Sequence, residues 1–239
     1  MEKRIFKTKE EVAHALAASL REWTAGGDFH HIALSGGSTP ALWFDILAQD
    51  FREDLSWNSL EFYWGDERCV APDHPESNYG MTAERLLRPL GIDEQQVHRM
   101  RGEDLPAQEA ERYAGLLHKK LPLVNGVPQF DLVILGLGTD GHTASIFPHE
   151  MELWDADRDC VVATHPDSGQ QRISLSGSVI NNAKKVVFLV TGESKADRVE
   201  EILNQHAVAT DYPASRVAPV NGDLIWMLDQ AAAGYPATS

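Results

Sequence analysis

Three short segments of this chain bring together residue types that do chemistry. In Gly136-Leu137-Gly138-Thr139-Asp140-Gly141-His142 a carboxylate stands two residues before an imidazole in a glycine-rich stretch. Histidine is the side chain whose ordinary pKa suits proton transfer near neutrality, and a nearby carboxylate can orient the ring and stabilise its charged form. The competing account is a structural histidine capping a turn; the flanking glycines and the preceding apolar run favour proton transfer. Gly65-Asp66-Glu67-Arg68 sets three ionisable side chains in a row. Such residues are costly to bury and serve poorly as core, although a solvated ion pair would also explain them. Ser35-Gly36-Gly37-Ser38-Thr39-Pro40 offers a third site, with Thr39 as N-cap and Pro40 at the first helical position. There Gly36 and Gly37 allow close backbone approach, and helix-start N–H groups bind oxyanions. A phosphate or polyol fits this segment, as does a plain strand-to-helix turn. Arg172 and Lys195 are cations able to neutralise a phosphate, arginine in bidentate fashion; singly, each reads as a surface charge.

Gly136, Gly138 and Gly141 also satisfy the glycine spacing of a dinucleotide fingerprint. That reading fails because Pro148 limits any helix starting there and Asp140 would face a pyrophosphate. Asp155 and Asp157 moreover precede the next strand, where a ribose-binding acid should follow one. Cys69 and Cys160 sit beside valines and read as buried thiols. The other nine histidines show no metal-ligand spacing.

The elements that must position these segments alternate along the chain. His30–Leu34, Leu60–Trp64, Phe130–Leu135, Cys160–Thr164, Lys185–Thr191 and Leu224–Leu228 read as strands, as does Arg172–Leu175. Phe130–Leu135 and Val186–Val190 are nearly continuous apolar runs, as strands covered on both faces would be. Thr8 and Glu11 form a capping box ahead of a stripe of Val12, Leu16, Leu20 and Trp23. Helices are also expected over Pro106–Leu121 and Ser194–His206. Alternation of this kind predicts an α/β fold with a mostly parallel sheet, and no linker interrupts it, so 1–239 is expected to be one domain. Ligands of such sheets sit beyond the carboxyl ends of the strands, where all three segments fall.

Against 21 basic residues stand 36 acidic ones, a formal net charge of −15 over 239 residues. That balance argues against nucleic-acid or anionic-membrane partners, but leaves room for a small anion in a local positive pocket. Two cysteines make no disulfide framework, Met1–Glu11 is too polar for a secretory signal, and no apolar run approaches a membrane span. A cytoplasmic protein is expected, monomeric or weakly self-associating.

Taken together, the segments resemble the 6-phosphogluconolactonase family. The resemblance is carried by Leu34–Pro40, Trp64–Val70, Ser77–Gly80, Asp131–Gly138, Asp140–Pro148, Arg172–Leu175 and Gly192–Lys195, with the tail from Pro213 to Ala233. It is ordered and spans essentially the whole chain. It implies a Rossmann-like sheet with helices on both faces and a smaller appended lobe, a fold shared with glucosamine-6-phosphate deaminases and ribose-5-phosphate isomerases. It also implies hydrolysis of 6-phospho-D-glucono-1,5-lactone without a cofactor. On that basis His142 is the expected general base, oriented by Asp140. Arg68 would stabilise the carbonyl oxygen or bind hydroxyls, with Asp66 and Glu67 holding hydroxyls or fixing Arg68. Gly36, Gly37, Ser38, Thr39, Arg172 and Lys195 would take the phosphate.

Two other functions compete. Asp66 lies where the similar deaminases keep a proton-moving acid, but those continue after Asp-Gly-His to Asn-Glu-Pro, whereas here Thr143-Ala144-Ser145 follows. A sugar-phosphate-sensing domain of a regulator would carry an N-terminal helix-turn-helix, for which the strand at His30–Leu34 arrives too early.

Overall fold

A computed structural model describes residues 1–235 apart from Phe29, and every structural statement concerns these residues. In chain order the strands are β1 (Glu2–Phe6), β2 (His31–Leu34), β3 (Glu61–Trp64), β4 (Asp66–Arg68), β5 (Leu123–Val124), β6 (Val127–Pro128), β7 (Leu132–Leu135), β8 (Cys160–Thr164), β9 (Gln171–Leu175), β10 (Lys185–Val190) and β11 (Asp223–Asp229). The helices are α1 (Lys9–Thr24), α2 (Ser38–Asp50), α3 (Asn78–Thr82), α4 (Arg88–Leu90), α5 (Pro106–Lys120), α6 (Gly177–Asn182) and α7 (Ala196–Leu203). A six-stranded sheet in the order β1-β11-β10-β7-β2-β3 is parallel throughout. The expected α/β architecture with a mostly parallel sheet is therefore present.

Strand periodicity divides the core in two. Ile32, Leu34, Phe62, Leu132, Ile134, Val187, Leu189 and Met227 pack with the α1 and α2 side chains Leu16, Leu20, Trp43 and Phe44. Their neighbours Ala33, Tyr63, Val133, Leu135, Val186, Phe188 and Trp226 pack on the other face with Tyr113, Leu117, Ile180 and Val199 from α5, α6 and α7. Successive residues of one strand thus feed opposite cores, which is why the apolar runs in β7 and β10 are unbroken.

Several local expectations need correcting. Residues Glu2–Phe6, read as a polar start, form β1 at the sheet edge, parallel to β11. Charged side chains suit an edge that meets water, and Arg4 there bonds Glu2 and Ser19. Thr39 is not the N-cap of α2: the helix begins at Ser38 after Gly37, whose φ of 104° is readily reached only by glycine. Thr39 instead shares a 2.8 Å hydrogen bond with Thr191 Oγ1, just past β10. At the start of α1, Thr8 caps Glu11 N–H as expected, while Glu11 reaches back to Lys7 N–H rather than to Thr8.

At Gly65 the chain leaves the large sheet. Its N–H donates to Leu34 O, extending the β2 edge, while its carbonyl accepts from Leu175 N–H in the second sheet. That second sheet is the antiparallel β4-β9-β8, the smaller lobe, with Asp66 opposite Ser174 and Arg68 opposite Arg172. Asp66–Arg68, read as a segment following a strand, is thus itself a strand laid over the carboxyl edge of the large sheet. At the opposite edge, buried Asp131 accepts from His30 N, His31 N and Lys184 Nζ, tying β2, β7 and β10 together. Among the described residues no helix is long and apolar enough to cross a membrane.

Candidate active site

Each strand of the sheet centre ends on the same edge, so its following loop contributes to one place. The loop after β7 brings His142, held by Asp140 twice over: Oδ1 accepts from the backbone N–H at 3.1 Å and lies 2.6 Å from Nδ1. Gly138 is required for this contact, since a Cβ there would fall 2.1 Å from His142 Nδ1. Burial alone would raise the Asp140 carboxyl, but the His142 hydrogen bond and charge outweigh it and hold it at about 2. Asp140 is therefore ionised at neutral pH and can only accept, so His142 must carry its proton on Nδ1. In the neutral ring Nε2 then carries the lone pair, and it has no hydrogen-bond partner among the described residues.

That imidazole lines a cavity of about 260 Å³ together with Gly36, Gly37, Asp66, Arg68, Arg172 and Lys195. Ser35, Asn78 and Ala144 complete much of the wall. Among the described residues neither Arg68, Arg172 nor Lys195 enters an ion pair. Arg172 is 8% exposed, stacks over Phe147 with its guanidinium carbon 5.7 Å from the ring centroid, and leaves Nε without an acceptor. Burial, followed by the charge of Arg68, lowers its pKa. Arg68 donates from Nη1 to Glu76 O and likewise leaves Nε unpaired. Burial lowers the Lys195 pKa too, against an opposing pull from Asp140. Three cations crowded together without carboxylate partners form a strongly anion-seeking wall inside an acidic protein.

Asp66 reaches the cavity with one oxygen already engaged: Oδ2 accepts from Ser145 Oγ at 2.6 Å. Ser145 is fully buried and its N–H donates to Ser174 Oγ, so the His142 loop and the small sheet are joined directly behind the acid. Ala144, between them, adopts a positive φ of 48°, an uncommon conformation for a residue with a Cβ.

Not every expected site residue arrives. Glu67 is buried and faces away from the cavity, accepting from the backbone N–H of Arg68, Asn78 and Tyr79 and from Ser77 Oγ. Burial raises its carboxyl above the ordinary value while the three backbone donors act in the opposite direction. It thereby fixes the Arg68 backbone and the start of α3. Thr39, engaged with Thr191, lines no part of the cavity, and Ser38 lines an adjoining cleft of about 600 Å³ that shares Gly37, Arg68 and Asn78 with it. Asn78 is the residue that reading by type and spacing did not select. Its Nδ2 donates to Asp66 O, and its Oδ1 occupies the space that a Cβ on Gly36 would need. Its signal in the sequence was its place in Ser77–Gly80, one of the segments that carry the family resemblance. Among the described residues no three His, Cys, Asp or Glu side chains gather as a metal site would require.

Known proteins are similar to this chain in sequence and fold. Residues 6–226 match the model of the glucosamine-6-phosphate isomerases/6-phosphogluconolactonase family. The 6-phosphogluconolactonase of Treponema pallidum is 46% identical over 84% of this chain and 84% of its own. That of Haemophilus influenzae is 47% identical over 84% of this chain and 85% of its own. The solved structure of 6-phosphogluconolactonase from Trypanosoma brucei superposes with a TM-score of 0.84 at 30% identity, covering 98% of this chain and 97% of that one. A match of this length and these relatives place the chain in the glucosamine-6-phosphate isomerase/6-phosphogluconolactonase family.

Proposed function

We propose that this site hydrolyses 6-phospho-D-glucono-1,5-lactone to 6-phospho-D-gluconate, the activity named for the relatives above. One observation carries the mechanism: an imidazole locked by Asp140 with its free nitrogen facing a cavity lined by three unpaired cations. His142 Nε2 takes a proton from water as the oxygen attacks C1, and the carbonyl becomes an oxyanion. Arg68, on the strand above, stabilises that oxygen or holds ring hydroxyls, with Asp66 accepting a hydroxyl through Oδ1. Collapse of the tetrahedral species breaks the bond from C1 to the ring oxygen, which takes the proton back from His142. The acid formed ionises to solvent.

Arg172, Lys195 and the backbone N–H groups after Gly36 take the phosphate. Ser38, at the start of α2, an end with no side-chain cap, offers its N–H from the adjoining cleft, and Thr39 takes no part. Glu67 supports Arg68 from behind and does not touch substrate. The chain works as one domain over 1–239, of which Phe29 and 236–239 lie outside the described residues. It acts in the cytoplasm without nucleic-acid or membrane partners, as a monomer or weak oligomer. Its two unpaired cysteines fit a reducing compartment.

The test is turnover of freshly generated lactone above the spontaneous rate, with the product trapped by a coupled oxidation. His142→Ala should lose ~10²–10⁴-fold in kcat, and near-normal turnover would end the assignment.

A further inference from the structure

The Asp140-Gly141-His142 turn is gripped from behind by residues that line no part of the cavity. Arg198 on α7 donates from Nε to Thr139 O at 2.9 Å, and its Nη1 pairs with Glu201. Glu201 Oε2 also accepts from Tyr212 OH at 3.0 Å, and the Arg198 guanidinium carbon lies 5.1 Å from the Tyr212 ring centroid. The tyrosine closes on Gly141 so tightly that a Cβ there would sit 2.4 Å from its ring carbon Cγ. Two residues on, Ala214 N–H donates to Gly141 O at 3.1 Å. Thr139 and Gly141, the neighbours of Asp140 on either side, are thus each fixed from the rear.

We propose that Arg198, Glu201 and Tyr212 form a positioning clamp that sets the Asp140–His142 geometry for catalysis. The inference deepens the reading of His142 as the base and rests on it. Asp140 is 41% exposed on a loop, so nothing on its solvent side holds it against His142. Misplacement of a reacting group by ~1 Å can cost ~10²-fold in rate. A partly exposed arginine–glutamate pair contributes little to global stability, whereas its aim at Thr139 O fixes a catalytic turn.

Steady-state kinetics with fresh lactone test this, using Tyr212→Ala, Tyr212→Phe and Arg198→Ala, with Tyr212→Ala also placed in an Asp140→Asn background. Tyr212→Ala should lower kcat ~10–100-fold with KM within about twofold, while Tyr212→Phe, which keeps the ring on Gly141, should recover to within about threefold of the parent. In the Asp140→Asn background the same change should cost less than about threefold, because the contact it protects is already lost. Losses that multiply, or a rise in KM with unchanged kcat, would overturn the clamp. If Tyr212→Ala does not fold, Arg198→Ala, which removes only a partly exposed side chain, is read against Asp140→Asn in the same way. His142→Ala separates the two failures: normal turnover there ends the base assignment and the clamp together, whereas a large loss there leaves the clamp to be judged by its own cycle.

Discussion

Arg68 and Arg172 stand directly opposite each other across the β4/β9 pairing, and among the described residues neither has a carboxylate partner. Like charges in that register repel, so a position selected for stability alone would not hold both. On the proposed function, the phosphate taken by Arg172 would relieve that repulsion. Replacing Arg172 by Met should therefore raise stability by about 1–2 kcal/mol in urea denaturation, as removal of a poorly compensated buried charge does. The same variant should raise KM roughly 10-fold or more, the scale of one lost charged hydrogen bond. A variant less stable than the parent, or one with unchanged KM, would contradict this account.

Asp140 gives a second prediction. With its carboxyl held at about 2, it stays an acceptor across the working range and dictates the His142 tautomer. Asp140→Asn can offer an N–H instead, which turns the proton of His142 onto Nε2 and removes the lone pair from the cavity. The expected loss is ~10²–10⁴-fold in kcat with little change in stability, since the side chain is partly exposed. Kinetics and thermal unfolding on the same preparation decide it.

Glu67 should behave in the opposite manner. Glu67→Ala strips an acceptor from three backbone N–H groups and one hydroxyl in a buried place, so a cost of roughly 2–4 kcal/mol in folding free energy is expected. Activity per folded molecule should fall less than for His142→Ala, because Glu67 does not reach the cavity.

The fourth prediction concerns acid. Asp131 is pulled below the ordinary carboxylate range, since the hydrogen bonds from His31, Lys184 and two backbone N–H groups outweigh its burial. A depressed pKa contributes stability that is fully present above the ordinary value of 3.8 and is lost as the pH falls toward the folded value. Asp131→Asn should therefore cost about 2–4 kcal/mol at neutral pH, and the gap between variant and parent should narrow as the pH drops below that ordinary value. Denaturation midpoints across an acid series measure it; a gap independent of pH would sink the idea.

The sheet was legible because burial on both faces leaves unbroken apolar runs, as in β7 and β10. The Asp140–His142 contact was legible because a carboxylate two residues before an imidazole in a glycine-rich stretch can reach the ring. What stayed hidden depends on distant partners. Glu67 beside Arg68 reads as site chemistry until α3 folds back over it, and Thr39 reads as a cap until Thr191 claims its hydroxyl. Asn78 is an ordinary polar residue in sequence, and only the approach of Gly36 to its amide reveals its place. β1 escaped because an edge strand carries charge on the side that faces water.

That edge strand also sets an order of assembly. β1 precedes every other element, yet its neighbour in the sheet is β11, the last strand. On a ribosome, β2, β3 and β7 can associate while later segments are still being made, but Glu2–Phe6 has no template until Asp223–Asp229 emerges. Among the described strands the earliest made is thus the last to find its mate, and charged residues on such an edge disfavour wrong pairing meanwhile.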